Sequence, residues 1–190
     1  MSSRTRTILL LARDERMPER TDRPKPRALN GKDVKHLRGL LESCYGFSGE
    51  LPYVFVMLGK EKVFMLSRAA GEYPYERLRV DAMGLYFGAY MPGDEFRLSV
   101  EGSQLIGPSC AKNVLELTDA EMHLWVRGES LEKATELRGF LILAHKESRT
   151  GKIDYLGCGK VVKKPRADSA PITTILNYVP KTRYVHGEEF

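Results

Sequence analysis

The chain has few of the residues that build disulfide frameworks and metal sites. It contains three cysteines and four histidines among 190 residues. Cys44, Cys110 and Cys158 are widely separated, which fits neither a disulfide framework nor a zinc site. The histidines are scattered as well. Widely spaced, unpaired cysteines are typical of a reducing compartment, so we predict a cytoplasmic protein without a bound metal.

Long apolar runs are also missing from the sequence. The longest early run extends from Ile8 to Ala12, far too short to cross a bilayer. Arg4 and Arg6 precede it as in a signal peptide, but the charged segment Arg13–Arg16 follows it directly. We therefore predict no membrane partner.

No complete catalytic motif can be found. The sequence Gly157-Cys158-Gly159-Lys160 is similar to part of a phosphate-binding loop, but Val161 stands where Ser or Thr would bind the metal. A dinucleotide fingerprint would need a third glycine. Cys158 has no base near it in sequence and is interpreted as a buried structural thiol. The same reasoning treats His145 as an ordinary edge residue, and we predict neither an enzyme nor a cofactor.

Positive charge is present in excess, and it is concentrated at the two ends of the sequence. The formal net charge is +5. Residues 1–27 carry eight Arg or Lys against four Asp or Glu, and residues 146–190 carry nine against five. The residues between carry thirteen against sixteen. A basic balance of this size favours nucleic acid as a partner only slightly.

Composition divides the chain into three segments. Residues 1–27 are rich in charge and proline and are interpreted as a basic, flexible arm. Residues 28–82 resemble a small α/β module. Asn30 is a plausible N-cap for a helix, and a hairpin over residues 53–66 follows it. Residues 83–190 contain many short apolar runs separated by turn residues, which is typical of a small barrel.

The third segment also contains one strong helix signal. Thr118 and Glu121 form a capping-box pattern, which predicts a helix over residues 119–126 that stops at Gly128. Two runs near the end, Leu156 to Val162 and Ile172 to Val179, are predicted to be neighbouring strands. The resulting fold class is α+β: a small mixed β-barrel preceded by the small α/β module.

Several short pieces of the third segment, in the same order, resemble a known family. The family is the PUA-like RNA-binding domain of RsmF-type ribosomal-RNA cytosine methyltransferases, including its stand-alone relatives. The matching pieces are Gly84–Tyr86, Arg97–Gly107, Trp125–Leu131, Gly139–Leu143, Leu156–Val161 and Leu176–Lys181. By layout, residues 28–82 are similar to the pre-PUA module that precedes such domains.

The resemblance implies a PUA-like barrel that binds RNA without catalysing a reaction. The Pro-Cys dipeptide of the methyltransferase catalytic loop is absent, and there is no room for its cofactor domain. Two positions depart from the family pattern. Cys158 stands where an aromatic residue is usual, and Tyr178 stands where a histidine is usual.

The predicted RNA-binding surface lies at the shared end of the two last strands. Glycines let backbone approach a phosphate, lysines and arginines supply charge, and a tyrosine can stack on an unpaired base. Lys160 and Lys181 are its central cations, and Arg166 extends the charge along the same loop. The full set is Arg127, Gly128, Gly157, Gly159, Lys160, Lys163, Lys164, Asn177, Tyr178, Lys181 and Arg183.

The leading hypothesis is a non-catalytic protein that binds structured ribosomal or transfer RNA in ribosome biogenesis or RNA modification. Two alternatives stay open. The chain could be a protein-interaction module in ribosome assembly, with its α/β half as the docking face. It could also be a targeting subunit for a separately encoded RNA-modifying enzyme. Charge alone does not distinguish RNA from DNA.

Overall fold

The computed structural model describes residues 25–72, 82–164 and 172–185. These residues form a mixed α+β fold built on two five-stranded sheets, one of which curls into a half-barrel. The predicted α+β class is therefore confirmed. Within these ranges, no helix is both long and apolar enough to cross a bilayer.

The first sheet is antiparallel throughout, with the strand order β1-β2-β3-β4-β5. Its strands are β1 (Pro26–Ala28), β2 (Val54–Leu58), β3 (Lys62–Leu66), β4 (Leu85–Met91) and β5 (Glu95–Leu98). The helix α1 (Gly31–Tyr45) follows β1, and the short helix α2 (Arg68–Gly71) follows β3.

The second sheet has the strand order β6-β8-β9-β10-β7. Its strands are β6 (Val114–Leu117), β7 (Leu131–Glu132), β8 (Phe140–Lys146), β9 (Ile153–Lys164) and β10 (Ile172–Asn177). The pair of β6 and β8 is parallel, and the other pairs are antiparallel. Along the chain, α3 (Val100–Ile106) follows β5 and precedes β6, and α4 (Asp119–Val126) connects β6 to β7.

Local sequence signals explain where the longer helices begin. The side chain of Asn30 accepts hydrogen bonds from the first turn of α1, and Asp33 bonds back to the Asn30 backbone. Thr118 and Glu121 make the same reciprocal pair at the start of α4. Each capping box satisfies backbone N–H groups that a helix end leaves without partners. The predicted helix over residues 119–126 is confirmed.

The second sheet separates two apolar clusters. One of its faces places Phe140, Ile142 and Cys158 in a large cluster with Tyr45 of α1 and Phe96 of β5. Its other face packs Leu141, Leu143 and Ile175 against Trp125 of α4. The larger cluster therefore belongs to both sheets at once.

Two of the predicted segment boundaries do not coincide with the sheets. β4 and β5 were placed in the barrel segment of residues 83–190, but they complete the sheet begun by β1–β3. Sheet membership changes after Leu98 because β4 pairs with β3 along its length. The end of the predicted arm also forms a strand, since Pro26 and Arg27 pair with β2. Residues 1–24 lie outside the described part of the chain.

Candidate nucleic-acid interface

The two final strands meet as predicted. β9 and β10 are antiparallel neighbours, with Lys160 opposite Leu176 and Gly159 opposite Asn177. On its other side, Lys160 lies opposite Phe140 of β8. The register therefore brings Gly159, Lys160, Asn177 and the following Tyr178 to one end of the second sheet.

Lys160 is partly buried and already has partners. Its Nζ lies 2.9 Å from Glu95 Oε2 and 4.7 Å from the centre of the Phe140 ring. Its side chain is 35% exposed. The ion pair joins β9 to β5 across the two sheets, so part of the Lys160 charge is compensated within the protein. The remaining exposure leaves it able to contact a phosphate from one side.

Gly159 is buried, and core side chains fill the space that a side chain at this position would occupy. A Cβ at this position would lie 2.6 Å from Ile175 Cγ2 and 2.8 Å from Trp125 Cη2. Van der Waals contacts between carbons are optimal near ~3.5–4.0 Å, so only glycine lets the Trp125 ring pack here. Gly159 therefore has a packing role: the space beside it is filled from inside the protein, and its contact with a phosphate stays a prediction.

Gly157 is also enclosed by the protein. Its φ of +96° is a conformation that glycine adopts readily, and its N–H donates to Ser103 Oγ at 3.0 Å. A Cβ would lie 3.0 Å from Val179 Cγ2. The Gly157 backbone therefore joins β9 to α3, and its contact with RNA stays a prediction.

Asn177 fastens β10 to the end of α4. Its Nδ2 donates to the carbonyl oxygens of Trp125 at 2.7 Å and Glu129 at 3.2 Å. Its Oδ1 accepts from the Val179 N–H at 2.9 Å. These bonds tie β10 to the end of α4, where the Trp125 carbonyl also accepts from the Gly128 N–H at 2.9 Å. These contacts give Asn177 a structural role, and its contact with RNA stays a prediction.

Tyr178 is on the surface and is held between two other side chains. The residue is 37% exposed. The Arg97 guanidinium carbon lies 5.3 Å from the ring centre, a distance at which the cation is attracted to the ring face. The Phe140 ring meets Tyr178 edge-on, with 5.5 Å between centres. We refer to Arg97, Phe140, Lys160 and Tyr178 as the Tyr178 surface.

Two of the predicted RNA-binding residues, Arg127 and Gly128, lie at the end of α4 and differ in accessibility. Arg127 is exposed, and its side chain makes no ion pair with any residue in the described ranges. Gly128 lies under the Tyr184 ring, whose atoms would come within 2.2 Å of a Cβ at this position. The Val185 N–H also donates to the Val126 carbonyl. Gly128 thus serves the packing of the last described residues, and Arg127 stays a candidate cation.

Lys181 and Arg183 lie in a 3₁₀ turn that follows β10. Lys181 is exposed, and no partner for its ammonium group is found among the described residues. Arg183 makes an ion pair with Glu101 in the first turn of α3, and its side chain is 60% exposed. Lys181 is therefore the more available of the two cations.

The other basic residues of the prediction lie at the far end of β9. Lys163 is opposite Thr173 and Lys164 is opposite Ile172. Arg166 lies outside the described residues. Lys163 and Lys164 extend the same pair of strands that carries Lys160, but away from Tyr178.

Arg97, Glu95 and Phe140 were missed as functional candidates. Along β5 the burial alternates, with Phe96 and Leu98 buried and Glu95 and Arg97 partly exposed. This alternation could have shown that Arg97 faces outward. No sequence signal indicated that Arg97 would meet Tyr178, because Arg97 lies in the first sheet and Tyr178 follows the last strand of the second.

The groups considered for catalysis are engaged in structural contacts. Cys158 is 2% exposed, as predicted, and burial raises the pKa of its thiol to about 12. His145 is buried rather than an ordinary edge residue, because β8 lies between β6 and β9. Its Nε2 lies 2.6 Å from Asp119 Oδ1 at the start of α4. Among the described residues, no cluster of three or more His, Cys, Asp or Glu could hold a metal.

No protein-family model matches the chain, and no curated protein sequence does. What the protein binds must therefore be inferred from the geometry of the Tyr178 surface and from the resemblance of the short motifs.

Proposed function

We propose that the protein binds structured RNA, without catalysing a reaction, through the Tyr178 surface together with Lys181. The observation that supports this is the half-exposed Tyr178 ring with the Arg97 guanidinium 5.3 Å from its centre. An aromatic ring can stack on any unpaired base, and an adjacent arginine can donate to a phosphate.

The contacts of Tyr178 prepare the ring for such stacking. Arg97 and Phe140 restrict its orientation, so less side-chain freedom is lost when a base binds. Arg97 makes no ion pair with another described residue, which leaves its donors free for a phosphate. Lys181 adds an exposed charge three residues further along the chain.

RNA rather than DNA is proposed because of the resemblance to PUA-like domains. The residues from β6 to β10 form a mixed sheet of the kind expected for a small barrel. The proposed surface lies in the motif pieces Arg97–Gly107, Gly139–Leu143, Leu156–Val161 and Leu176–Lys181. Ribosomal or transfer RNA is the proposed target. A separately encoded modifying enzyme or assembly factor stays a prediction as partner.

The test is RNA binding as a function of salt. Each phosphate contact lowers the slope of log K against log salt by about 0.7–0.9. Replacing both Arg97 and Lys181 by glutamine should therefore reduce the magnitude of this slope by about 1.5 and weaken binding at low salt. The assay is fluorescence anisotropy with labelled transfer RNA and with a ribosomal-RNA helix fragment.

Arg149→Gln is the matched control for charge. Arg149 lies in the turn between β8 and β9, at the opposite end of the second sheet from Lys160, roughly 20 Å away along β8. Its removal should leave the slope nearly unchanged. The proposal is wrong if the double variant keeps the wild-type affinity and slope, or if Arg149→Gln reduces them as much.

A further inference from the structure

A small pocket lies next to the segment that follows Tyr178, and its walls are not part of the Tyr178 surface. Several of them belong to the motif pieces Gly84–Tyr86, Arg97–Gly107 and Leu176–Lys181. Its volume is about 250 Å³. The first sheet, the start of α3 and the segment that follows β10 all contribute walls. Leu85, which is 53% exposed, lies at its rim. The walls that matter here are Phe64, Leu85, Tyr86, Glu101, Pro180 and Arg183.

The pocket combines apolar walls with one ion pair. Phe64 and Tyr86 pack ring against ring, with 5.3 Å between centres, and Leu85 and Pro180 add further apolar surface. Pockets that enclose drug-sized ligands are larger, at ~300–1,000 Å³. A volume of about 250 Å³ and mostly apolar walls instead suit a single flat heterocycle.

Hydrogen-bonding groups remain available on the ion pair. Arg183 Nη2 bonds to Glu101 Oε1. A carboxylate has about four acceptor positions, and a guanidinium has five N–H donors. Glu101 Oε2 and most of the Arg183 donors therefore have capacity for a ligand. In order across the pair, the protein offers a donor, an acceptor and a second acceptor.

We propose that this pocket binds an unpaired guanine base. The Watson–Crick edge of guanine presents the O6 acceptor, the N1–H donor and the N2 amino donor in that order. Arg183 would donate to O6, and the two oxygens of Glu101 would accept from N1 and N2. Arginine to guanine O6 is among the commonest contacts in base recognition.

The other three bases do not match the same row of groups. Cytosine presents a donor followed by two acceptors, so donors and acceptors are exchanged at every position relative to guanine. Adenine presents a donor and an acceptor and has only a carbon-bound hydrogen at the third place. Uracil matches at its first two positions but then places a carbonyl oxygen against the Glu101 carboxylate. A buried polar group left without its partner is costly, so the pocket selects against these bases.

The inference deepens the proposed RNA binding and rests on it. Pro180 lies two residues after Tyr178, and Arg183 shares its 3₁₀ turn with Lys181. An RNA strand that stacks one base on Tyr178 could therefore place a neighbouring unpaired base in the pocket. The same chemistry would also accept a free guanine nucleotide, and the experiment separates the two sources.

The probe is a fluorescein-labelled hairpin RNA with a loop of uridines that includes one guanosine. In two matched probes the guanosine is replaced by inosine, which lacks only the N2 amino group, or by adenosine. Losing one hydrogen bond to a charged acceptor should weaken binding about tenfold with inosine. Adenosine should weaken binding further. These comparisons use the wild-type protein, so folding does not affect them.

Two protein variants locate the preference in the pocket. Glu101→Gln should bind the guanosine and inosine probes equally well. Glu95→Gln is the matched control, because the Glu95 side chain is about as exposed as that of Glu101 and pairs with Lys160 outside the pocket. It should keep the guanosine preference. The assignment is overturned if Glu101→Gln prefers the guanosine probe over the inosine probe as strongly as the wild type does.

A parallel titration with guanosine monophosphate separates this inference from the proposed function. RNA binding with no preference for guanosine overturns the pocket assignment alone. Binding of the mononucleotide that depends on Glu101, without RNA binding, supports the pocket and overturns the proposed function. Failure to bind either ligand overturns both.

Discussion

Replacing Gly159 by alanine tests whether this glycine serves the core or the ligand. The new Cβ would lie about 1 Å too close to Ile175 Cγ2 and nearly as much too close to Trp125 Cη2. Ile175 is branched at Cβ and Trp125 is fully buried, so neither can move aside easily. Overpacking of this kind typically costs about 1–3 kcal/mol.

Urea unfolding followed by tryptophan fluorescence measures this cost directly. Trp125 is the single tryptophan of the chain and packs on Gly159, so its emission reports on the mutated site. With an m-value of about 2 kcal/mol/M, a loss of about 2 kcal/mol lowers the unfolding midpoint by about 1 M. Binding of the RNA probes at low urea should change little.

Gly39→Ala is a control with the opposite expected sign. Gly39 is exposed in the middle of α1, and nothing lies within 4 Å of a Cβ placed there. Alanine is a better helix former than glycine by about 0.5–1 kcal/mol, so this midpoint should rise. A Gly159→Ala protein with wild-type stability and lost RNA binding would refute the core interpretation.

Asn177→Ala removes the hydrogen bonds to the carbonyls of Trp125 and Glu129. The free energy of unfolding should fall by about 1–3 kcal/mol. Wild-type thermal stability in this variant would contradict the structural role of Asn177. Glu121→Gln tests a pH effect, because the pKa of Glu121 lies below its ordinary value of 4.5: burial opposes the shift, but the hydrogen bond from Lys133 and the capping bonds outweigh it. The charged form therefore stabilises the fold above pH 4.5 and is lost as the pH falls through the lowered pKa, so the variant should be less stable at pH 7 and the difference should vanish in acid. A difference that stayed constant down to pH 2, measured by thermal unfolding, would contradict it.

The features predicted well from sequence are those that depend on residues close together in the chain. The capping box at Thr118 and Glu121 marked the start of α4 and Gly128 marked its end, because helix caps act within one turn. The hairpin of β2 and β3 was found from two apolar runs around one turn. β9 and β10 were also paired correctly, since they are consecutive strands of one sheet.

The features that were missed depend on residues far apart in the chain. β4 and β5 belong to the first sheet because β4 pairs with β3. The long sequence between β3 and β4 instead suggested a boundary between two segments. The glycines at 157 and 159 have the same sequence signature whether a ligand or a tryptophan ring approaches them. Arg97 became a candidate only when the structure brought β5 beside Tyr178.

The apolar cluster shared by both sheets has a consequence for how the chain folds during synthesis. All five strands of the first sheet have been made once Leu98 is added, but Phe140, Ile142 and Cys158 complete its core much later. The Tyr45 hydroxyl, for example, lies 3.6 Å from Cys158 Sγ, a residue 113 positions further along. At about 5–20 residues per second, the roughly 60 residues after Leu98 take about 3–12 s to add. During that interval a first sheet that folds early exposes the apolar face that β8 and β9 later cover. Transiently exposed apolar surface of this kind is a general cause of aggregation and the reason that chaperones exist.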